Sequence, residues 1–171
     1  MNFFNIFGLE EKFDLDKESL ELKYLALQKI YHQDTYGIND PENTGDIITN
    51  ISKSLDINSA YKTLKDDFLR AHHILNLKGI HLNDDQESRK KIDQEFLIEM
   101  LETMEFLENI TEFNDLIIFR DNLKIIREAH LKEMSALFKE SYFNEVSIKT
   151  LMLKYYDNII QMTDKKIQEC F

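Results

Sequence analysis

The chain has 171 residues, 43% of them hydrophobic, with a formal charge of −11, four glycines, one proline and one cysteine. That is enough apolar material for the core of one or two small domains, and Gly and Pro are so few, while Leu, Ile, Glu, Lys and Met abound, that strands and tight hairpins have little to turn with, which directs the fold to all-α. Lone Cys170 excludes a disulfide framework or cysteine-based zinc cluster, and the excess of carboxylates opposes the phosphate neutralisation that nucleic-acid binding needs. No apolar run reaches the roughly eighteen residues of a membrane span and no charged-then-apolar leader precedes the first predicted helix, so the expected compartment is the cytoplasm and the expected partners are proteins.

In chain order, an aromatic lead "NFFNIFGLEEKF" precedes a helix that Asp16 can cap, with Glu18 in its first turn and Leu20, Tyr24, Leu27 and Tyr31 at helical spacing. This helix ends near His32-Gln33-Asp34. Asp40-Pro41-Glu42, an aspartate cap followed by a first-turn proline, restarts a helix. Ile57, Tyr61, Leu64, Phe68, Ala71 and Leu75 then form a stripe that runs to Lys78-Gly79, with Asp66-Asp67 as a point of interruption. The aperiodic "GIHLNDDQES" reads as a connector. Three long helices follow, near 88–110, 111–140 and 144–169. The middle one shows Leu116, Phe119, Leu123, Ile126, His130, Met134 and Leu137 on one face, and the last shows Ile148, Leu151, Tyr155 and Met162.

Two places offer contact. The His32-Gln33-Asp34 tripeptide falls at the tip of a helical hairpin, where its imidazole and carboxylate can exchange hydrogen bonds with a partner, although a polar loop is the ordinary occupant of such a tip. On the helix near 88–110, Phe96, Met100, Met104, Leu107 and Ile110 share a core-facing side. Ile98 and Leu101 fall at roughly 200° and 140° from Phe96, beside Glu105 at roughly 180° and Glu102 at roughly 240°. An apolar pair ringed by carboxylates on an outward face suits a protein-binding patch, against the bland reading of scattered surface apolar residues.

Adjacent His72-His73 diverge by about 100° on a helix and do not suit a shared metal. Glu95, Glu99 and Glu102 lack an accompanying Glu-x-x-His and read as a solvated face, His130 reads as a hydrogen-bonded interior or edge residue, and Asn58 as a backbone-bonding one. No phosphate-binding glycine loop, nucleophile elbow or Cys/His cluster is present, so neither an enzyme nor a cofactor is expected.

The stretches "FFNIFGL" (3–9), "LQKIYHQD" (27–34) and "INSAYKTLKDDFLRAHHILNLKG" (57–79) resemble the J domain of HscB-type co-chaperones of iron–sulfur cluster assembly, and the similarity continues through "EFLIEMLETMEFLE" (95–108) to Phe171. The resemblance implies a J domain over 1–78, a helical hairpin with additional helices, then a linker at 79–87 and a C-terminal three-helix bundle over 88–171. It also implies that His32 and Asp34, with Gln33 between them and basic Lys23 and Lys29 on the preceding helix, engage a DnaK-class, HscA-like chaperone and stimulate its ATPase. Gln33 stands where the family has proline, and Thr35 replaces a frequent lysine. Loss of a residue that fixes φ leaves this tip more costly to order, enough to weaken engagement by about tenfold. By the same resemblance Leu97, Ile98, Leu101, Glu102 and Glu105 contact the iron–sulfur scaffold protein, joined by Tyr155 or, in an ungapped alignment to the C terminus, Leu153. The expected function is that of a non-enzymatic co-chaperone joining scaffold to ATPase. The runner-up is a client-binding adaptor whose J-like half no longer stimulates, and a third reading is a metal-dependent helical enzyme using His32 and Asp34.

Overall fold

A computed structural model describes residues 1–33, 44–82 and 92–170, with side chains described for 1–31, 51–82 and 92–170. Asp34 and the restart signal at Asp40-Pro41-Glu42 lie outside the described residues. Every regular element among those described is helical: α1 (Phe3–Ile6), α2 (Lys17–Gln33), α3 (Thr44–Lys65), α4 (Asp67–Leu77), α5 (Gln94–Asn109), α6 (Phe113–Lys139) and α7 (Phe143–Gln168). They divide between two compact units, Met1–Leu77 and Lys78–Phe171.

In the first unit, α2 and α3 pair across stacked Tyr24 and Tyr61 rings 3.9 Å apart. The Asn58 carbonyl accepts from the Tyr24 hydroxyl (2.9 Å) and the Gln28 amide (3.2 Å), so Asn58 bonds side chains of the facing helix rather than backbone. The aromatic lead is a helical turn after all: Asn2 caps α1, and Phe4, Phe7 and Phe13 are buried with Leu20, Leu64, Ala71 and Leu75. The stripe from Ile57 to Leu75 is divided at Asp66, whose carboxylate accepts from the Leu69 N–H at 2.8 Å and starts α4. Gly79 follows α4 with φ +78, a backbone state that glycine adopts without cost.

Arg70 is the hub of this unit. It is 4% exposed, yet its guanidinium donates to Phe13 O (2.8 Å), Leu64 O (2.7 Å) and the Asp67 carboxylate (2.6 Å), while Lys17 approaches the same carboxylate at 3.0 Å. Burial pushes the Asp67 carboxyl up, but the hydrogen bonds and charges of Arg70 and Lys17 outweigh it and hold it below its ordinary value.

In the second unit, α5, α6 and α7 enclose Phe96, Met100, Leu107, Ile110, Leu116, Leu123, Leu151, Tyr156 and Ile159. Asp93 caps α5, accepting from Glu95 N–H at 3.1 Å, so the helix begins later than the periodicity places it. α6 turns into α7 through Ser141 at φ +59, with Tyr142 N–H donating to Leu137 O and Ser141 N–H to Phe138 O, a Schellman closure carried by serine instead of glycine. The buried line of α7 runs through Val146, Thr150, Leu153, Ile160, Thr163 and Ile167, with each threonine hydroxyl returned to the carbonyl four residues back. Met162 and, on α6, Ile126 are therefore turned outward, 44% and 47% exposed, against the sequence expectation. Arg120 and Arg127 lie at the α6–α7 seam instead and pair with Asp164 and Asp157. His130 is buried and its Nε2–H donates to Lys149 O at 2.8 Å, while burial holds its pKa below the usual histidine value.

Candidate functional site

The first candidate surface lies on α2. The helix continues through His32 and Gln33, so these two residues occupy its final turn instead of a free loop. Their side chains, like Asp34, lie outside the described residues. Of the two flanking cations, Lys29 is exposed, whereas Lys23 is turned inward along the helix. The Lys23 ammonium donates to Phe7 O (2.9 Å) and Gly8 O (3.0 Å), closing the carbonyl end of α1. Lys166 does the same for α5, donating to Leu107 O (2.8 Å) and Glu108 O (2.9 Å). The exposed side of α2 also carries Leu22, Leu25 and Ile30, so the surface around Lys29 is as apolar as it is basic.

The second surface lies on α5. Phe96, Met100 and Leu107 fix this helix by their burial against the bundle, and Met104 packs on the same cluster. With that face committed, Ile98 and Leu101 must project outward, and they are 48% and 61% exposed. Glu102 and Glu105 are exposed on the same side, and Leu97 sits half-buried on the edge of the core. The structure thus places the apolar pair and both carboxylates on one open helix face. The two alternatives on α7 separate cleanly: Leu153 is fully buried, whereas Tyr155 is half-buried with its ring edge-on to Phe96 at 5.8 Å, beside the base of α5.

Sequence reading missed Phe106. It is 60% exposed, contacts Phe119 at 5.6 Å between ring centroids, and walls a cleft of about 410 Å³ with Ile110, Ile118 and Asn122. Its spacing of eight from Ile98 advances about 80° around the helix, which was the available signal. The paired histidines serve packing: His73 stacks on Phe3 at 4.5 Å and its Nε2 accepts the Phe3 N–H, while His72 stacks on Phe68. Among the described residues, no group of three or more His, Cys, Asp or Glu is placed to hold a metal ion.

The family model for the HSCB C-terminal oligomerisation domain matches residues 92–164. The co-chaperone protein HscB homolog of Aliivibrio salmonicida is 30% identical over 169 residues, 96% of either chain. The co-chaperone protein HscB of Proteus mirabilis is 34% identical over 135 residues, 78% of this chain and 72% of that one. Among solved structures, chaperone HscB from Vibrio cholerae has a TM-score of 0.84 at 26% identity over 100% of both chains. Human co-chaperone protein HscB has a TM-score of 0.85 at 24% identity, covering 97% of this chain and 82% of its own.

Proposed function

Because this chain belongs to the HscB family of co-chaperones, we propose that it binds the iron–sulfur scaffold protein through α5 and presents it to a DnaK-class, HscA-like chaperone whose ATPase it stimulates through the end of α2. The observation that carries the reading is the open α5 face: Ile98 and Leu101 offer burial at the centre and Glu102 and Glu105 supply charge at the rim, with Leu97 and Tyr155 at its edge. The apolar pair contributes contact area that only a partner can cover, and the carboxylates favour a scaffold surface with basic groups. Carrying both docking surfaces on one chain raises the local concentration of scaffold at the chaperone, so the protein works without chemistry of its own. The proposal places it in the cytoplasm with those partners; among the described residues, no helix is long and apolar enough to cross a membrane.

His32 and Asp34 are assigned the chaperone contact, with Lys29 as the outward cation. Lys23 is assigned to this surface only through its hold on α1. The test is a steady-state ATPase assay of the chaperone with and without scaffold. Wild-type protein is expected to raise turnover, His32→Ala to lose the rise while still binding scaffold, and Ile98→Ala/Leu101→Ala to lose the additional effect of scaffold. Scaffold binding without any stimulation by wild type selects the runner-up, an adaptor whose J-like half is silent because Gln33 stands in the proline position. Absence of both activities rejects the proposal.

A further inference from the structure

The open face of α5 does not end at Glu105. Ile98, Glu102, Phe106 and Ile110 follow one another at intervals of four, a ridge that drifts about 40° around the helix at each step. It starts at exposed Ile98, passes exposed Phe106 and ends at Ile110, which is buried and lines the cleft between the end of α5 and the start of α6. The α5 face and the cleft are therefore one continuous surface.

The volume of the cleft, about 410 Å³, is that of a site able to take a ligand group. Its walls are apolar, formed by the Phe106 and Phe119 rings with Ile118. Its polar groups are acceptors: the Asp115 carboxylate, and Asn109, one of whose amide hydrogens is engaged by Glu105 O at 2.8 Å while the side-chain oxygen is left to accept. No Lys or Arg is among its described lining residues. Arg120, next to Phe119 in the chain, pairs with Asp121 and Asp164, and Lys166 donates to the Leu107 and Glu108 carbonyls. Glu102, Glu105, Glu108, Glu112 and Asp115 are all exposed, so the surface from the α5 face to the cleft is anionic throughout. α5 also ends here, and the carbonyl end of a helix draws cations, as Lys166 shows.

Aromatic walls with a carboxylate among them fit a planar cation on an apolar stem. A guanidinium stacks on a phenyl face, pairs with a carboxylate through two parallel hydrogen bonds, and lays its methylenes on aliphatic surface. A neutral apolar side chain in the same place desolvates Asp115 without pairing it, and an acidic one is repelled. We infer that an arginine side chain of the scaffold docks in this cleft, with Phe106 as its stacking platform and Asp115 as its counter-ion, carrying the α5 contact round onto α6. This rests on the reading that the scaffold binds α5, and adds the residue type that the scaffold brings to it.

Calorimetric titration of the full chain with scaffold, at about 50 mM and about 300 mM salt, tests this. Phe106→Ala and Asp115→Asn, both at exposed positions, are each expected to weaken affinity by about tenfold at low salt with an unchanged helical spectrum, and Asp115→Asn to flatten the salt dependence. Glu140→Gln removes the same charge at the far end of α6, roughly 37 Å along its axis, and is expected to change affinity by less than about twofold. When the scaffold's surface arginines are replaced one at a time by glutamine, one replacement is expected to cost about tenfold against wild type and nothing further against Asp115→Asn. Unchanged affinity in Phe106→Ala and Asp115→Asn, equal losses in Asp115→Asn and Glu140→Gln, or no scaffold arginine coupled to Asp115 overturns the inference and leaves docking on α5 standing. A wild-type chain that does not bind scaffold overturns both.

Discussion

Truncating Ile98 and Leu101 together isolates the contribution of the α5 face to scaffold binding. Their exposed fractions, 48% and 61%, together amount to about one whole side chain still accessible to a partner. Full burial of an aliphatic side chain contributes about 1.5–3 kcal/mol, so the double alanine variant is expected to weaken scaffold affinity by roughly 10- to 150-fold. The inward parts of the same side chains do contribute to folding. Their loss costs the free protein about 1–2 kcal/mol, reduced by the higher helix propensity of alanine, so binding is measured well below the unfolding midpoint. Isothermal titration calorimetry with purified scaffold gives the affinity, and far-ultraviolet circular dichroism on the same sample gives the helix content. An affinity within about twofold of wild type, with helicity intact, refutes α5 as the docking face. Collapse of the helical signal at the measuring temperature refutes the separation of this pair from the bundle core.

Gln33→Pro removes a backbone donor from the last turn of α2 and biases His32 away from helical dihedrals, so it should shorten α2 and lower the concentration needed for half-maximal ATPase stimulation by up to about tenfold; an unchanged or weaker stimulation contradicts that. Lys23→Met should destabilise the first unit by about 1.5–3 kcal/mol through the Phe7 and Gly8 carbonyls it abandons just past α1, whereas Lys29→Met should leave thermal unfolding unchanged, and equal midpoints for the two variants would refute the structural assignment of Lys23. Ser141→Gly should raise the unfolding midpoint by a few degrees, since it relieves about 1 kcal/mol of left-handed strain, as read by calorimetry. His130 is held below its ordinary pKa by burial, so between its unfolded value and its lower folded value only the unfolded chain takes a proton, and stability falls as pH drops through that window; His130→Gln should remove this part of the pH dependence in urea unfolding measured from pH 7 downward. Asp67 acts further down the scale: its folded pKa is depressed, its contribution is complete above the ordinary carboxylate range, and it is lost as pH falls through the folded value.

The amino-acid order alone determined the helical class, because Gly and Pro are scarce while helix-forming residues abound, and it determined which side of α5 is open, because five apolar residues at helical spacing commit the opposite side to a core. The break at Asp66 and the family resemblance in 57–79 were equally local, carried by neighbouring residues. Where burial is shared between helices, local pattern was insufficient. Thr150 and Thr163 read as polar but sit in the core with their hydroxyls satisfied by their own helix, and this rotates the buried line of α7 so that Met162 is left outside and Leu153 is taken inside. The α6–α7 seam takes Arg120 and Arg127, with aspartates waiting opposite, and so leaves Ile126 in solvent. Lys23 is a cation on an outward helix until the turn that ends α1 folds beneath it and supplies the Phe7 and Gly8 carbonyls. Periodicity fixes directions about one helix axis; only packing against a second axis decides which of two adjacent stripes is buried and which charge has a partner within reach.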